Sequence, residues 1–456
     1  MTERAAPRVF PLEQLLLFLL AVAEGLIVSN KAAFFLIADE VFGMDVLGFG
    51  YIDMLATLLV CMKPFYGYIS DVYPLWGMRR KSYLFLFSAL GILCYYLIAV
   101  SQAEGFHMYA VVALYMLAEV ANVIRTVMTE AICVETSRRL KEAAEREGAK
   151  PAIDTLYVLL LGKHGGTVLS TFLIRSLFKA LEARIFLLYA LACTITLAVA
   201  AVLREEAPAK AREKKNILHE FANSYRIVAR NGLVLTVCAN MVIISSPYLQ
   251  NLFSYFARGV LHFDDKLITD KSLVSKMSAF LAVLSRGILF ARLDRIALFK
   301  LSALANVLSV LFFFLIFFSF RGSSPLGTLA AFAFTAVEAY TTELRNIPLM
   351  ETFVEKSPRD SDGLFISVLS FCNSIAKTAS LYFSNVLVSL LHISKKNFSN
   401  GPVMIISNVF VALLGYILLE FSFAKPLEQP LEPPKPQESQ VVEETVAPVQ
   451  QTDANN

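Results

Sequence analysis

The sequence predicts an all-α integral membrane protein with twelve transmembrane helices in two six-helix bundles. Three observations predict it. The chain of 456 residues is 56% hydrophobic and only 17% charged, with a mean hydropathy of +0.59, too apolar for a soluble chain of this size. Its apolar residues gather into windows of about 20 residues, the length that crosses a hydrocarbon core of ~30 Å. A charged interruption from Arg204 to Arg230 divides those windows six and six.

Residues 1–203 form the predicted N-terminal bundle, with spans near 13–38, 47–70, 82–101, 107–133, 153–178 and 184–203. A short basic leader with no cleavage signal precedes the first span, so that span is expected to be a retained helix. The second runs into KPFYGYISDVYPLWGMRRK, residues Lys63 to Lys81, a charged turn punctuated by Gly and Pro. The fourth carries Glu119, Asn122, Thr126 and Glu130 at steps of three and four, a polar stripe along one helix face. The charged stretch Glu135 to Asp154 is expected to be a separate short amphipathic helix. The fifth span holds His164 between glycines and is expected to pack it.

Residues 204–230 are the predicted cytoplasmic linker, an amphipathic helix on the membrane surface. Residues 231–423 form the C-terminal bundle, with spans near 231–256, 272–291, 297–320, 326–352, 363–391 and 402–423. In its first span Ser245, Ser246, Pro247, Tyr248, Gln250 and Asn251 predict a kinked, polar segment. Residues 424–456, rich in Pro and Glu, read as a disordered cytoplasmic tail. Two bundles joined by such a linker are the layout of the major facilitator fold.

Lys and Arg concentrate in segments such as 79–81, 138–150 and 204–230, which places both termini in the cytoplasm of a multi-pass protein, here expected in the plasma membrane. The cysteines are scattered through the spans as small core residues, without metal spacing. No Walker loop, GxSxG elbow, HExxH helix or dinucleotide fingerprint is present, so neither an enzyme nor an ATP-driven pump is expected, and no cofactor is. No solvated basic surface points to nucleic acid, and the macroscopic partner is membrane lipid.

The spans embed Lys31, Lys63, Arg125, Lys163, Arg175, Arg286, Arg345 and Lys377 with Glu24, Asp53, Glu119, Glu130, Glu338 and Glu343. Left unpaired at about 2.5 to 3.5 kcal/mol each, they would cost on the order of 40 kcal/mol, far beyond the stability of a folded protein. They must pair, snorkel or face a wet cavity. Lys163, Arg175 and Lys377 are expected to snorkel. Glu24 and Lys31, and Glu338 and Arg345, are seven residues apart, which puts each pair on one helix face. Lys63 is either a substrate cation or a partner of Asp71. Asp71 is expected to bond to Arg79 or Arg80 and to backbone donors at a helix N-terminus, a latch on the inner side.

The turn Lys63, Pro64, Gly67, Ser70, Asp71, Pro74, Gly77, Arg79 and Arg80 resembles the pattern of the folate-biopterin transporter family, also called the BT1 family, of the major facilitator superfamily. A second match lies at Pro358, Asp362, Gly363, Ser370 and Asn373, with Ser357 where the family has cysteine. At a third, Thr126, Glu130, Glu135 and Arg138 stand where the family often has two aspartates, an acidic residue and a basic pair. The resemblance covers about Glu24 to Ser380. It implies alternating-access transport of folate or a pterin-like anion, coupled to protons.

On that reading Arg125, Thr126, Arg345, Lys63, Tyr248 and Asn251 bind substrate, the guanidinium forks suiting carboxylates. Glu119, Glu130, Glu24 and Glu338 are the proton-coupling carboxylates. Gly67, Asp71, Pro74, Gly77, Arg79 and Arg80 form the gate. The alternatives are a facilitator with another cargo, such as a nucleoside or amino acid, and a receptor or scaffold that has lost transport.

Overall fold

A computed structural model describes residues 12–40, 46–146, 155–205, 253, 256–257, 261–263, 265–319, 325–356, 367–368, 371, 374–375, 382, 386–393 and 399–424. Among these residues, regular structure is helical except for one isolated bridge between Leu75 and Met78. The expectations for the linker, the tail, Lys377, Tyr248, Asn251 and the Ser357–Asn373 match lie outside the described residues.

The first crossing is α1 (Leu12–Val28), continued by α2 (Asn30–Glu40) after a break at Ser29. The break alters the expected pairing: Glu24 is buried and Lys31 is exposed, so the two do not share one face. The second crossing is α3 (Val46–Cys61) and α4 (Lys63–Val72), divided at Met62. Pro64 falls in the first turn of α4, where its missing N–H would have had no helical partner anyway. α5 (Lys81–Ser101), α6 (Met108–Arg146), α7 (Thr155–Leu181) and α8 (Phe186–Val202) complete the first bundle, a 3₁₀ turn at Glu182–Ile185 joining the last two. The second bundle comprises α9 (Asp265–Ile288), α10 (Arg295–Ser319), α11 (Pro325–Lys356) and α12 (Gly401–Ala424), with pieces of its other spans. Among the described residues five stretches are long and apolar enough to cross a membrane; one of them, Thr155–Val202, contains both α7 and α8.

The stretch after Glu135 is not a separate surface helix. It continues α6 without interruption through 39 residues, about 58 Å at 1.5 Å per residue, which exceeds the bilayer core. The reason is local: no Gly or Pro occurs between Met108 and Arg146, and the run is rich in Ala, Leu, Glu and Arg, all strong helix formers. α6 therefore carries Glu135, Arg138 and Arg139 beyond the membrane, beneath the 73–80 turn. That extremity is called the turn end below.

Inside the first bundle, α1 and α7 pack backbone to backbone. A Cβ on Gly25 would stand 2.0 Å from the Lys163 carbonyl oxygen, and one on Gly166 would stand 2.2 Å from that of Val22. Gly162, one turn before Gly166, meets the Ala21 side chain and the Phe18 carbonyl, each 2.8 Å from a built Cβ. Small residues at four-residue spacing permit this approach, in the manner of membrane helices generally. Gly165 points elsewhere, toward Phe280 of α9, where a Cβ would stand at ordinary contact distance, 3.5 Å from the ring.

The two bundles meet along α7 and α9. At the turn end Ala21, Cys133, Leu156, Leu159 and Leu160 join Val283 of α9 and Ile347 of α11 in one apolar cluster, with Tyr157 and Met350 packed against it. The Tyr157 ring fits over Gly287, where a Cβ would come within 2.5 Å of it. The second bundle has its own aromatic core, in which Phe313 stacks on Phe334 at 4.7 Å and Phe253 meets Phe313 edge-on at 5.2 Å.

The α1–α7 seam makes a paired prediction. Gly25→Ala should lower the thermal midpoint of the detergent-solubilised protein by the equivalent of about 1 to 3 kcal/mol, the usual cost of overpacking. Gly165→Ala should leave it near wild type. Equal midpoints for the two variants would refute the seam.

Candidate functional site

Three polar clusters organise the charged residues. The first is at the turn end. Tyr73 to Arg80 form a tight turn in which Trp76 and Gly77 both take positive φ, 52° and 74°, as the central residues of a type I′ turn do. Gly77 meets that requirement at little cost. Pro74 is exposed ahead of it, and Gly67 is buried on α4, its carbonyl accepting from Ser70 Oγ at 2.8 Å.

Beyond the turn, Arg80 is fully buried. Its Nη2 reaches Asp71 Oδ1 at 3.4 Å, and its Nη1 donates to the Ala131 carbonyl at 3.0 Å and to Glu135. Arg79 Nη2 is 3.2 Å from the same Asp71 oxygen. The expected Asp71 pairing is therefore present with both arginines. The carboxylate at the helix N-terminus is a different one: Glu205 accepts from the backbone amides of Arg80 and Lys81 at the start of α5. Lys81 Nζ returns the contact, donating to the Leu203 carbonyl at 2.6 Å at the end of α8. Negative charge at a helix N-terminus and positive charge at a C-terminus are each stabilising. Burial pushes the Glu205 carboxyl above the ordinary carboxylate range, and the two amides oppose that rise. Apart from Glu205, just past α8, the partners named here belong to the first bundle, so these contacts clamp α4, α5, α6 and α8 to one another.

The second cluster lies within the same bundle. Asn30 and Asn122 both donate to Glu119 and to the Tyr95 hydroxyl. Arg125 Nη2 donates to Asn122 Oδ1 at 2.6 Å, and its Nη1 lies 2.7 Å from Cys193 Sγ of α8. Room for that guanidinium depends on Gly91 of α5, where a Cβ would stand 2.9 Å from Cys193 Sγ. The stripe on α6 thus exists, but Arg125 is turned toward α5 and α8, into the bundle. Thr126 is half-buried one turn ahead of Glu130.

The third cluster lies along the seam between the bundles. Lys163 does not snorkel: its Nζ is 3.2 Å from Glu130 Oε1. Lys63, buried at the start of α4, also acts electrostatically on Glu130. Glu24 is 4% exposed, and its Oε1 has no hydrogen-bond partner. Across the seam His164 Nε2 of α7 lies 3.1 Å from Glu343 Oε1 of α11. Arg175, also expected to snorkel, pairs instead with Asp270 of α9. Arg345 is 7% exposed, within the influence of Glu338 and Glu343, and its Nη1 has no partner. Lys271 of α9 acts on by Glu338 sits over the Phe253 ring at 4.2 Å. His164, Glu343, Asn30, Tyr95, Cys193 and Glu205 are among the residues that sequence reasoning did not place in a site. The glycines around His164 were visible, but the face it takes is set by helices far away in the chain.

Two helical bundles meeting along a charged seam define a multi-pass membrane transporter of the major facilitator type. Solved structures share that fold. A mutant of the nucleoside transporter NupG superposes with a TM-score of 0.60 at 14% identity, covering 90% of this chain and 99% of that one. A bacterial homologue of the iron transporter ferroportin in an outward-facing state gives 0.63 at 13% identity, over 90% and 99%. The profile of the BT1 family matches residues 22–431, and the chain belongs to that family. It is 22% identical over 429 residues to "Folate transporter 1" of Plasmodium falciparum (isolate 3D7), covering 90% of this chain and 80% of the relative. It is 21% identical over 389 residues to "Folate-biopterin transporter" of Synechocystis sp. (strain ATCC 27184 / PCC 6803 / Kazusa), covering 85% and 76%. It is thus a transporter of that family and not an enzyme.

The clamp predicts unequal costs for its two arginines. Arg80→Met strips Asp71 and Glu135 of a buried guanidinium and should destabilise by about 3 to 5 kcal/mol. Arg79→Met, at a partly exposed pair, should cost about 1 kcal/mol or less. Thermal midpoints and folded yield after size exclusion test the order, and a reversed order refutes it.

Proposed function

We propose that the protein carries folate or a pterin-like anion across a membrane by alternating access, with protons as the coupling ion and both termini on the cytoplasmic side. The observation that carries the reading is Arg345. A buried guanidinium with an unfilled donor, on a helix that reaches the seam between the bundles, is a ready fork for a carboxylate. The names of the two relatives suggest the cargo class, since folate has carboxylates beside its pteridine ring. Arg125, turned toward Cys193, supports the α6 stripe from behind.

Glu24 is the proposed proton carrier among the four carboxylates, because it is buried and its Oε1 accepts no hydrogen bond among the described residues, with Thr129 and Lys163 acting on the carboxyl. Glu119 is held by two asparagines, Glu130 by Lys163, and Glu338 acts on Lys271 and Arg345. The plasma membrane is the proposed location.

The test is uptake into proteoliposomes of labelled folate and of biopterin, which lacks the carboxylate tail, with and without a pH gradient. Arg345→Ala should cut folate uptake by about 10- to 100-fold, the worth of a charge-assisted hydrogen bond, and biopterin uptake much less. Arg345→Lys should fall between. Undiminished folate uptake by Arg345→Ala would overturn the assignment, and failure of wild type to move either solute would overturn the cargo.

A further inference from the structure

α7 is bound by its glycines to α1, and therefore moves with the first bundle. Its other face meets the second bundle, and there, among the described residues, the ionic contacts Arg175–Asp270 and His164–Glu343 cross the seam. Arg175–Asp270 lies toward the end of α7 away from the turn. His164–Glu343 lies 11 residues earlier, about 16 Å along the helix at 1.5 Å per residue. It stands directly above the apolar cluster that closes the turn end: Leu160 is one helical turn from His164, and Ile347 is one turn from Glu343. The two side chains are 19% and 18% exposed, so the pair is mostly enclosed by protein.

We propose that His164 and Glu343 form a proton-operated clasp between the bundles, which holds the turn end closed when His164 is protonated and releases it when the proton leaves. Histidine is the side chain whose ordinary titration spans physiological pH. Neutral His164 offers Glu343 one hydrogen bond. Protonated, it forms an ion pair in a poorly solvated seam, where charge attraction is much stronger than in water.

The charged neighbours leave this switch in command. Glu24 of α1, Glu130 of α6, and Glu338 and Glu343 of α11 are four carboxylates. Lys63 of α4, Lys163 of α7, Lys271 of α9 and Arg345 of α11 are four cations that act on them. Asp270 of α9 is engaged by Arg175. Lys163, although it acts on Glu343, is held at Glu130 within the first bundle. Among the described residues these neighbours, with Arg125 acting on Glu24, include charges of both signs, and the histidine proton is placed on a contact that crosses between the bundles.

The inference rests on the reading that the bundles move relative to each other, but its test needs no cargo. Met350, packed against the apolar cluster, is replaced by cysteine in a full-length background without the native cysteines, reconstituted in lipid. Maleimide labelling of Met350→Cys is normalised at each pH to Trp76→Cys, whose parent side chain is 71% exposed in the turn. Normalised labelling should rise at least about threefold as the buffer is taken from about pH 5.5 to about pH 8. His164→Gln should label rapidly at every pH, His164→Arg slowly at every pH, and Glu343→Gln rapidly at every pH, each with a wild-type elution profile. A pH response that survives in His164→Gln, or no response in the His164 parent, overturns the clasp. If labelling follows pH while neither folate nor biopterin is taken up, the cargo reading fails and the clasp stands.

Discussion

Backbone contact between α1 and α7 is the constraint on which the rest of the molecule depends. With Gly25, Gly162 and Gly166 touching carbonyls and apolar side chains across the seam, neither helix can slide or rotate without collision. This fixes the phase of α7, and the phase decides which residues look inward and which look toward the second bundle. Lys163 is thereby turned to Glu130 and Glu24, while His164, about 100° further round the helix, meets Glu343. Adjacent residues in the sequence thus serve different bodies.

The same phase explains how the embedded charges are tolerated. A charge in a span is costly unless a partner is already in place when water leaves. In the first bundle the partners are arranged in layers: the Asp71–Arg79–Arg80–Glu135 cluster with Glu205 at the turn end, the Glu130–Lys163 pair deeper in, and the Asn30–Glu119–Asn122–Arg125 network beyond it. Each layer ties at least two helices together. Arg125 differs in having a thiol and an amide as its hydrogen-bond partners, and Arg345 in having a donor still unfilled.

Features set by neighbouring residues were legible in the sequence. Apolar windows of membrane length gave the crossings, the Gly/Pro spacing around Asp71 gave the turn, and the step of three and four gave the Glu119–Glu130 stripe. Features set by distant residues were not. Arg80 meets Glu135 and Glu205 across 55 and 125 residues, and His164 meets Glu343 across 179. Nothing in a hydropathy window distinguishes a lysine that snorkels from one that finds a carboxylate on another helix, which is why Lys163 and Arg175 were misjudged. The error over the end of α6 has another origin: a rise in charge was read as the end of a helix, whereas only Gly, Pro or a cap would have ended it.

The Asp71 turn was expected to latch the inside, and its position clarifies what such a latch can do. Among the described residues the turn's contacts join helices of the first bundle, and such contacts do not change when two rigid bundles rock, so they contribute stiffness, while contacts that cross the seam bear on the opening equilibrium. Among the described residues those contacts include an apolar cluster and the ionic pairs Arg175–Asp270 and His164–Glu343. The apolar cluster of Leu156, Leu159, Leu160, Val283 and Ile347 acts whenever water is present, whatever the pH. His164–Glu343 adds a term that depends on one proton. A body stiff within and lightly joined across its seam is what rigid-body switching requires, and the joining contact that changes charge most readily is the one from which the motion is most easily controlled.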